Sequence, residues 1–150
     1  MKFKIGIAAI SVAAALFSSG VWAAAPADDG LLAQGDKQWA EGRVSDARTS
    51  FEQALKANPR SVDAHMKLAG LLFSNRNYSE AIRTYQKTIS LDGNNARAWM
   101  GLGLAYRHTS QAELAKAAFE EAVRIDPGRK AQLAQLADKT AEKPTEIPVK

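Results

Sequence analysis

The residues best suited to chemistry are His65 and His108, and they are the only histidines in the chain. A helix-borne metal site needs two ligands about one turn apart. There is no H-x3-H, no HExxH and no acidic loop with calcium-ligand spacing. Cysteine is absent, which excludes a disulfide scaffold, a thiolate site, a cysteine nucleophile and a cysteine-linked lipid anchor. Serines occur, but no histidine–carboxylate pair can be placed beside one. Gly101-Leu102-Gly103 lacks the third glycine and the preceding strand of a dinucleotide fingerprint, so it reads as packing glycine. Asp28-Asp29 and Glu120-Glu121 read as solvated or helix-end charges. The expectation is a chain without enzymatic activity, metal or cofactor. An enzyme or metal protein built on His108 is the third alternative.

A chain of 150 residues with 46% apolar, 24% charged and 7% aromatic residues suits one globular domain. Much of the apolar share is alanine, which favours close-packed helices over sheets. At the N-terminus, Lys2 and Lys4 precede a charge-free run from Ile5 to Phe17. That run has the length of a signal-peptide core and falls short of the ~20 residues a membrane helix needs. Ser18-Ser19-Gly20 breaks it, and Val21-Trp22-Ala23 offers a cleavage site after Ala23. A cut after Ala25 also fits, although Pro26 would then follow it. The expected layout is a signal peptide over 1–23, a linker over 24–27, and a mature chain that does not insert in a membrane, located in the periplasm or secreted. Without Lys2 and Lys4, 18 basic residues face 16 acidic ones. No dense basic run remains, so nucleic acid is not expected as a partner.

The rest of the chain repeats every 34 residues without a gap. Gly35, Ala69 and Gly103 form one column, and Ala47, Ala81 and Ala115 another. Phe51, Tyr85 and Phe119 form a third, and Ala54, Thr88 and Ala122 a fourth. Leu55, Ile89 and Val123, then Pro59, Gly93 and Pro127, complete the set. Each unit contains two stretches with apolar residues three and four apart, the signature of paired amphipathic helices. The small residues allow close helix axes, and Phe51, Tyr85 and Phe119 are expected to fill the space between one helix pair and the next. Ser45 and Ser79 are placed to cap the second helices. Asn58-Pro59, Asp92-Gly93 and Asp126-Pro127 end those helices. Leu133, Leu136 and Ala137 repeat Trp99, Leu102 and Gly103, so a further helix over 130–140 is expected to cap the array. Its other face, Lys130, Gln132, Gln135 and Lys139, is polar. Residues 141–150, with Pro144 and Pro148, read as a disordered tail.

The third unit runs Trp99-Met100-Gly101-Leu102-Gly103-Leu104-Ala105-Tyr106, then Ala115, Phe119, Ala122 and Pro127. It resembles the tetratricopeptide repeat family, whose pattern is W-x2-L-G-x2-Y followed by A-x3-F, a small residue and proline. The second unit departs from it at His65, Leu72 and Gly93, and the first in its opening helix. The resemblance covers 28–61, 62–95 and 96–129. It implies an all-α solenoid of three helix-turn-helix repeats plus the C-terminal capping helix, and a concave groove lined by the first helix of each repeat. By position the groove-facing, partner-binding residues are Leu32, Asp36 and Trp39, then Asp63, Met66 and Phe73, then Arg97, Met100, Leu104, Arg107 and His108. Apolar side chains on an open face mark an interaction site. The charges divide, with Asp29, Asp36 and Asp63 toward one end and Arg97, Arg107 and His108 toward the other. Part of the family clamps a C-terminal carboxylate with lysine, asparagine and arginine. The corresponding residues here are Leu32, Asp36, Lys67, Arg97 and Gly101, so that clamp is not expected.

Taken with the export signal, the resemblance implies a non-enzymatic interaction adaptor or co-chaperone in the bacterial cell envelope. It would bind a peptide or helix of a protein partner in the groove. The alternative is a structural subunit of a stable or self-assembling envelope complex. The sequence leaves the oligomeric state open.

Overall fold

The computed structural model describes residues 28–133. The expected signal peptide, the linker, most of the capping helix and the tail lie outside the described residues. Six α-helices follow one another: α1 (Asp29–Ala40), α2 (Val44–Ala57), α3 (Val62–Ser74), α4 (Tyr78–Leu91), α5 (Ala96–His108) and α6 (Ala112–Ile125). A short 3-10 turn, Pro127–Arg129, follows, and residues 130–133 are helical. The helices pair as three antiparallel hairpins that stack in chain order. The first helix of each hairpin also touches the first helix of the next. All regular structure among the described residues is helical.

Helix crossings fall on the small-residue columns. Ala47, Ala54, Ala69, Ala81 and Ala122 are fully buried, since a methyl side chain lets backbones approach at little entropic cost. Thr88 occupies the same column as Ala54 and is equally buried. Its hydroxyl donates to the Thr84 carbonyl at 3.0 Å, so no polar atom is stranded there.

The turns repeat as faithfully as the helices. Gly42, Arg76 and Ser110, 34 residues apart, all take the left-handed conformation at φ 76°, 60° and 61°. Each donates its N–H three residues back, to Trp39, Phe73 and Arg107. The following residue donates five back, to Gln38, Leu72 and Tyr106. This pair of bonds satisfies the last carbonyls of the first helix and turns the chain directly into the second. It also overturns the expected caps. Ser45 and Ser79 lie inside α2 and α4, which have no side-chain cap, because the tight turn puts Arg43 and Asn77 at the cap positions. The side-chain caps are on first helices instead, Ser61 Oγ accepting from Ala64 N and Asn95 Oδ1 from Ala98 N.

The second helices end at Asn58, Asp92 and Asp126. The Oδ1 atom of each accepts the N–H two residues on, at 3.1–3.2 Å. This is the local bond by which such side chains mimic a backbone turn. Asp28, expected to be solvated, is 3% exposed, with Asn58 Nδ2 at 3.4 Å from its carboxylate.

The aromatic column departs from expectation in an informative way. Phe51 lies over Gly35 and Phe119 over Gly103, each within its own hairpin, where an added Cβ would collide with the ring. Their equivalent, Tyr85, faces Ala69 in that column and instead crosses to Gly101 of the next hairpin. Tyr85 thus reaches across to the next hairpin, as expected of this column.

Candidate functional site

The first helices α1, α3 and α5 carry the candidate residues side by side. They border a cavity of about 350 Å³. Trp39, Met66, Met100 and Leu104 supply its apolar lining, and Asp36, Asp63 and Arg97 its charged edge. All were expected at a groove, and the structure brings them together. Trp39 lies over Gly70, where an added Cβ would make ordinary contact with its outer ring carbon at 3.4 Å.

The charges are not equally available. Lys67 Nζ donates to Asp36 Oδ2 at 2.8 Å, across α1 and α3. Asp63 and Arg97 occupy the same repeat position on consecutive first helices. Both are exposed, and neither has an ion-pair partner among the described residues. The charge polarity expected along the whole face therefore contracts to this pair.

The remaining candidates lie elsewhere. Leu32 is 5% exposed and belongs to the core, so it is not on the groove surface. Phe73 and His108 join Tyr78 in an aromatic cluster. The His108 ring stacks on Tyr78 at 4.6 Å, and Phe73 meets both edge-on at about 5.5 Å. Arg107 borders a different cavity, of about 810 Å³, on the outer side of α6 beside Phe119, Val123 and Leu133. Helix position does not separate them, since Trp39, 34 residues before Phe73 and likewise in the last turn of its helix, lines the groove. The neighbours differ: the Phe73 ring meets those of Tyr78 and His108.

His65 is structural. Its Nε2 lies 3.2 Å from the Pro59 carbonyl. One repeat later, Trp99 Nε1 donates to the Gly93 carbonyl at 2.9 Å. The two side chains make the same contact from the same position. Burial holds the His65 imidazole below its ordinary value.

Sequence reasoning missed Tyr85, Gly101 and Arg129. Tyr85 and Gly101 both line the groove. Arg129, ion-paired to Asp126 at 2.8 Å, approaches the Met100 sulfur at 3.9 Å. A signal for Tyr85 existed: glycine stands at 101 where Lys67 stands one repeat earlier, leaving a slot for a ring.

Comparisons with known proteins agree with this geometry. The family model described as tetratricopeptide repeat matches residues 32–96 and 71–130. The chain is 29% identical over 110 residues to the Hsp70-Hsp90 organizing protein of Triticum aestivum, covering 73% of this chain and 19% of that protein. It is 33% identical over 88 residues to the Homo sapiens peptidyl-prolyl cis-trans isomerase FKBP4, covering 59% of this chain and 19% of that one. The chain thus spans about a fifth of the length of these relatives. Among solved structures, the first such domain of Spaghetti (RPAP3), bound to the HSP90 peptide SRMEEVD, superposes with a TM-score of 0.70. It is 18% identical and covers 77% of this chain and 94% of that chain. The crystal structure of MamA gives a TM-score of 0.65 at 25% identity, covering 71% of this chain and 62% of that one.

Proposed function

Because the chain belongs to the tetratricopeptide repeat family, we propose that it is a non-enzymatic adaptor. It holds an extended peptide or a helix of a protein partner in the groove along α1, α3 and α5. The observation that carries this reading is the groove itself, an open apolar lining of Trp39, Met66, Met100 and Leu104 beside two charges without an ion-pair partner among the described residues. Methionine and aromatic side chains suit adaptable recognition, and the charges suit register and orientation. The HSP90 peptide bound by the Spaghetti domain supports a peptide as the class of ligand. The carboxylate clamp is not rebuilt in this groove. Leu32 is buried, Asp36 and Lys67 neutralise each other, and the Tyr85 ring fills the space over Gly101.

We place this adaptor in the bacterial cell envelope, as a periplasmic or secreted protein. Lys2, Lys4, the apolar run to Phe17 and Val21-Trp22-Ala23 support that reading. Among the described residues no helix is long and apolar enough to cross a membrane. The mature protein is expected to begin at Ala24, which N-terminal sequencing of the exported chain checks. Retention of Met1 in a membrane fraction would defeat it.

The deciding experiment replaces Met66 and Met100 together by alanine and compares partner capture from a periplasmic extract with thermal melting. Truncating real anchors costs about 2 kcal/mol or more, roughly thirtyfold in affinity. Capture should fall by that factor while the fold survives. Unchanged capture would move the partner off this face. The alternative of a structural subunit would use the apolar side of α6, where Phe119 and Val123 line a cavity of about 810 Å³ with Leu133 of the expected capping helix. Self-association on that face would appear as a mass that grows with concentration.

A further inference from the structure

We propose that the Tyr85 hydroxyl and the Arg97 guanidinium together receive an acidic side chain of an extended peptide lying along the groove. The inference rests on the groove reading above and adds the ligand's chemistry to it.

Tyr85 is 6% exposed, and its ring is packed over Gly101. It nevertheless lines the cavity, so the part that reaches the groove is the hydroxyl end. That hydroxyl makes no hydrogen bond to any described residue. Other hydroxyls of the stack are bonded within the fold. Ser50 Oγ donates to Gln38 at 2.7 Å, Thr88 Oγ1 to Thr84 at 3.0 Å, and the Tyr106 hydroxyl accepts from Gln86 at 2.8 Å. The hydroxyl opens on the groove, so an acceptor arriving with a ligand can bond it directly and complete its contacts. Burial pushes the Tyr85 phenol up to about 12, so at neutral pH the group is a proton donor and calls for an acceptor.

Arg97 sets the charge of that acceptor. It is close enough to act electrostatically on the Tyr85 phenol, and it has no ion-pair partner among the described residues. The other cations near the groove are engaged, Lys67 with Asp36 and Arg129 with Asp126. One phenol and one guanidinium match a single carboxylate. Asp63 stands at the same position one repeat earlier, also without an ion-pair partner among the described residues. The ligand therefore carries a basic side chain on that side. Packed helix axes are ~8–10 Å apart, which an extended chain crosses in about three residues. A segment with acidic and basic side chains about three positions apart meets both charges. A free C-terminal carboxylate supplies only the acidic half.

The probe is a random dodecapeptide library displayed with every C-terminus joined to the phage coat, so that only internal carboxylates are offered to the full chain. Enriched sequences should carry an acidic residue with a basic one about three places away. The enriched peptide, made synthetically, should lose about tenfold in affinity on Tyr85→Phe, on Arg97→Gln, or when its acid is changed to the amide. Tyr85→Phe keeps the ring over Gly101 and should melt like the parent. Combined with the amide peptide, it should cost little more than either change alone. Equal binding by Tyr85→Phe and parent, or by acid and amide peptides, overturns the inference. If binding also ignores Met66→Ala with Met100→Ala, or nothing is enriched, the groove reading fails with it. Dependence on the methionines alone defeats only the acidic subsite.

Discussion

At the first junction, where α2 meets α3 and α4, Arg48 Nη2 on the outer face donates to Glu80 at 3.0 Å while its Nε holds Glu52 at 2.8 Å. On the groove side Lys67 holds Asp36. At the second junction the equivalents of Arg48 and Glu80 are Ile82 and Leu114, and rings take over. Tyr85 crosses to Gly101, Gln86 donates to the Tyr106 hydroxyl at 2.8 Å, and Phe73, Tyr78 and His108 cluster. Two surfaces at the same positions of the same repeat thus adhere by different forces. The hairpin tolerates either, because its own turns and small-residue crossings hold its shape. Exposed ion pairs are weak and screened by salt, whereas ring burial is larger and insensitive to it.

The strongest way to break this comparison is a single methyl group on each side. Gly101→Ala forces a Cβ into the Tyr85 ring and should destabilise the protein by ~1–3 kcal/mol. Gly70→Ala meets only the tip of Trp39 at 3.4 Å and should be neutral, or gain up to ~1 kcal/mol in helix propensity. Urea unfolding of both variants checks the pair, and equal losses would mean that the junctions do not differ as described.

His65→Trp sharpens the comparison by giving the second repeat the side chain of the third. It should raise stability by about 1 kcal/mol through added apolar burial, with an indole N–H available for the Pro59 carbonyl. It should also change the pH profile. The His65 imidazole is held below its ordinary value of 6.5, so the unfolded chain takes up the proton first as pH falls. The stability it contributes is full above about pH 6.5 and is lost progressively below it. Melting curves between pH 7 and pH 5 should therefore be flatter for His65→Trp than for the parent.

The smallest effect belongs to the outer ion pair. A double-mutant cycle on Arg48→Ala and Glu80→Ala should give a coupling of ~0.2–1 kcal/mol in dilute buffer and almost none at ~1 M salt. The same salt should leave the loss in Gly101→Ala unchanged.

Most of the fold was legible because 34-residue columns report packing directly. A small residue that recurs in register must sit at a crossing, whatever else the chain does. The caps were not legible. A left-handed turn announces itself through glycine, and only Gly42 does so; Arg76 and Ser110 adopt the same φ without that signal. Forcing such residues there costs ~1–2 kcal/mol in isolation, which the two turn hydrogen bonds offset. In the site, Asp63, Met66, Met100 and Leu104 were placed by period alone, as was Trp39 in the last turn of α1. Phe73 shares the repeat position of Trp39 and was not, because its ring packs on those of Tyr78 and His108, which the 34-residue columns do not report. Tyr85 was hidden for another reason. Its direction depends on a glycine sixteen residues ahead, in the next repeat.

The slot shared by Tyr85 and Gly101 also limits where this sequence can go by single changes. The family resemblance places the arginine of a carboxylate clamp at position 101. An arginine there would begin with a Cβ inside the Tyr85 ring, and the variant would lose stability before gaining a ligand. Shrinking Tyr85 first would leave a hole against Gly101 with no new binding in return. Either first step is unfavourable and only the double change is viable, so the two positions must be exchanged together. This groove is therefore separated from a carboxylate clamp by a valley that single changes do not readily cross.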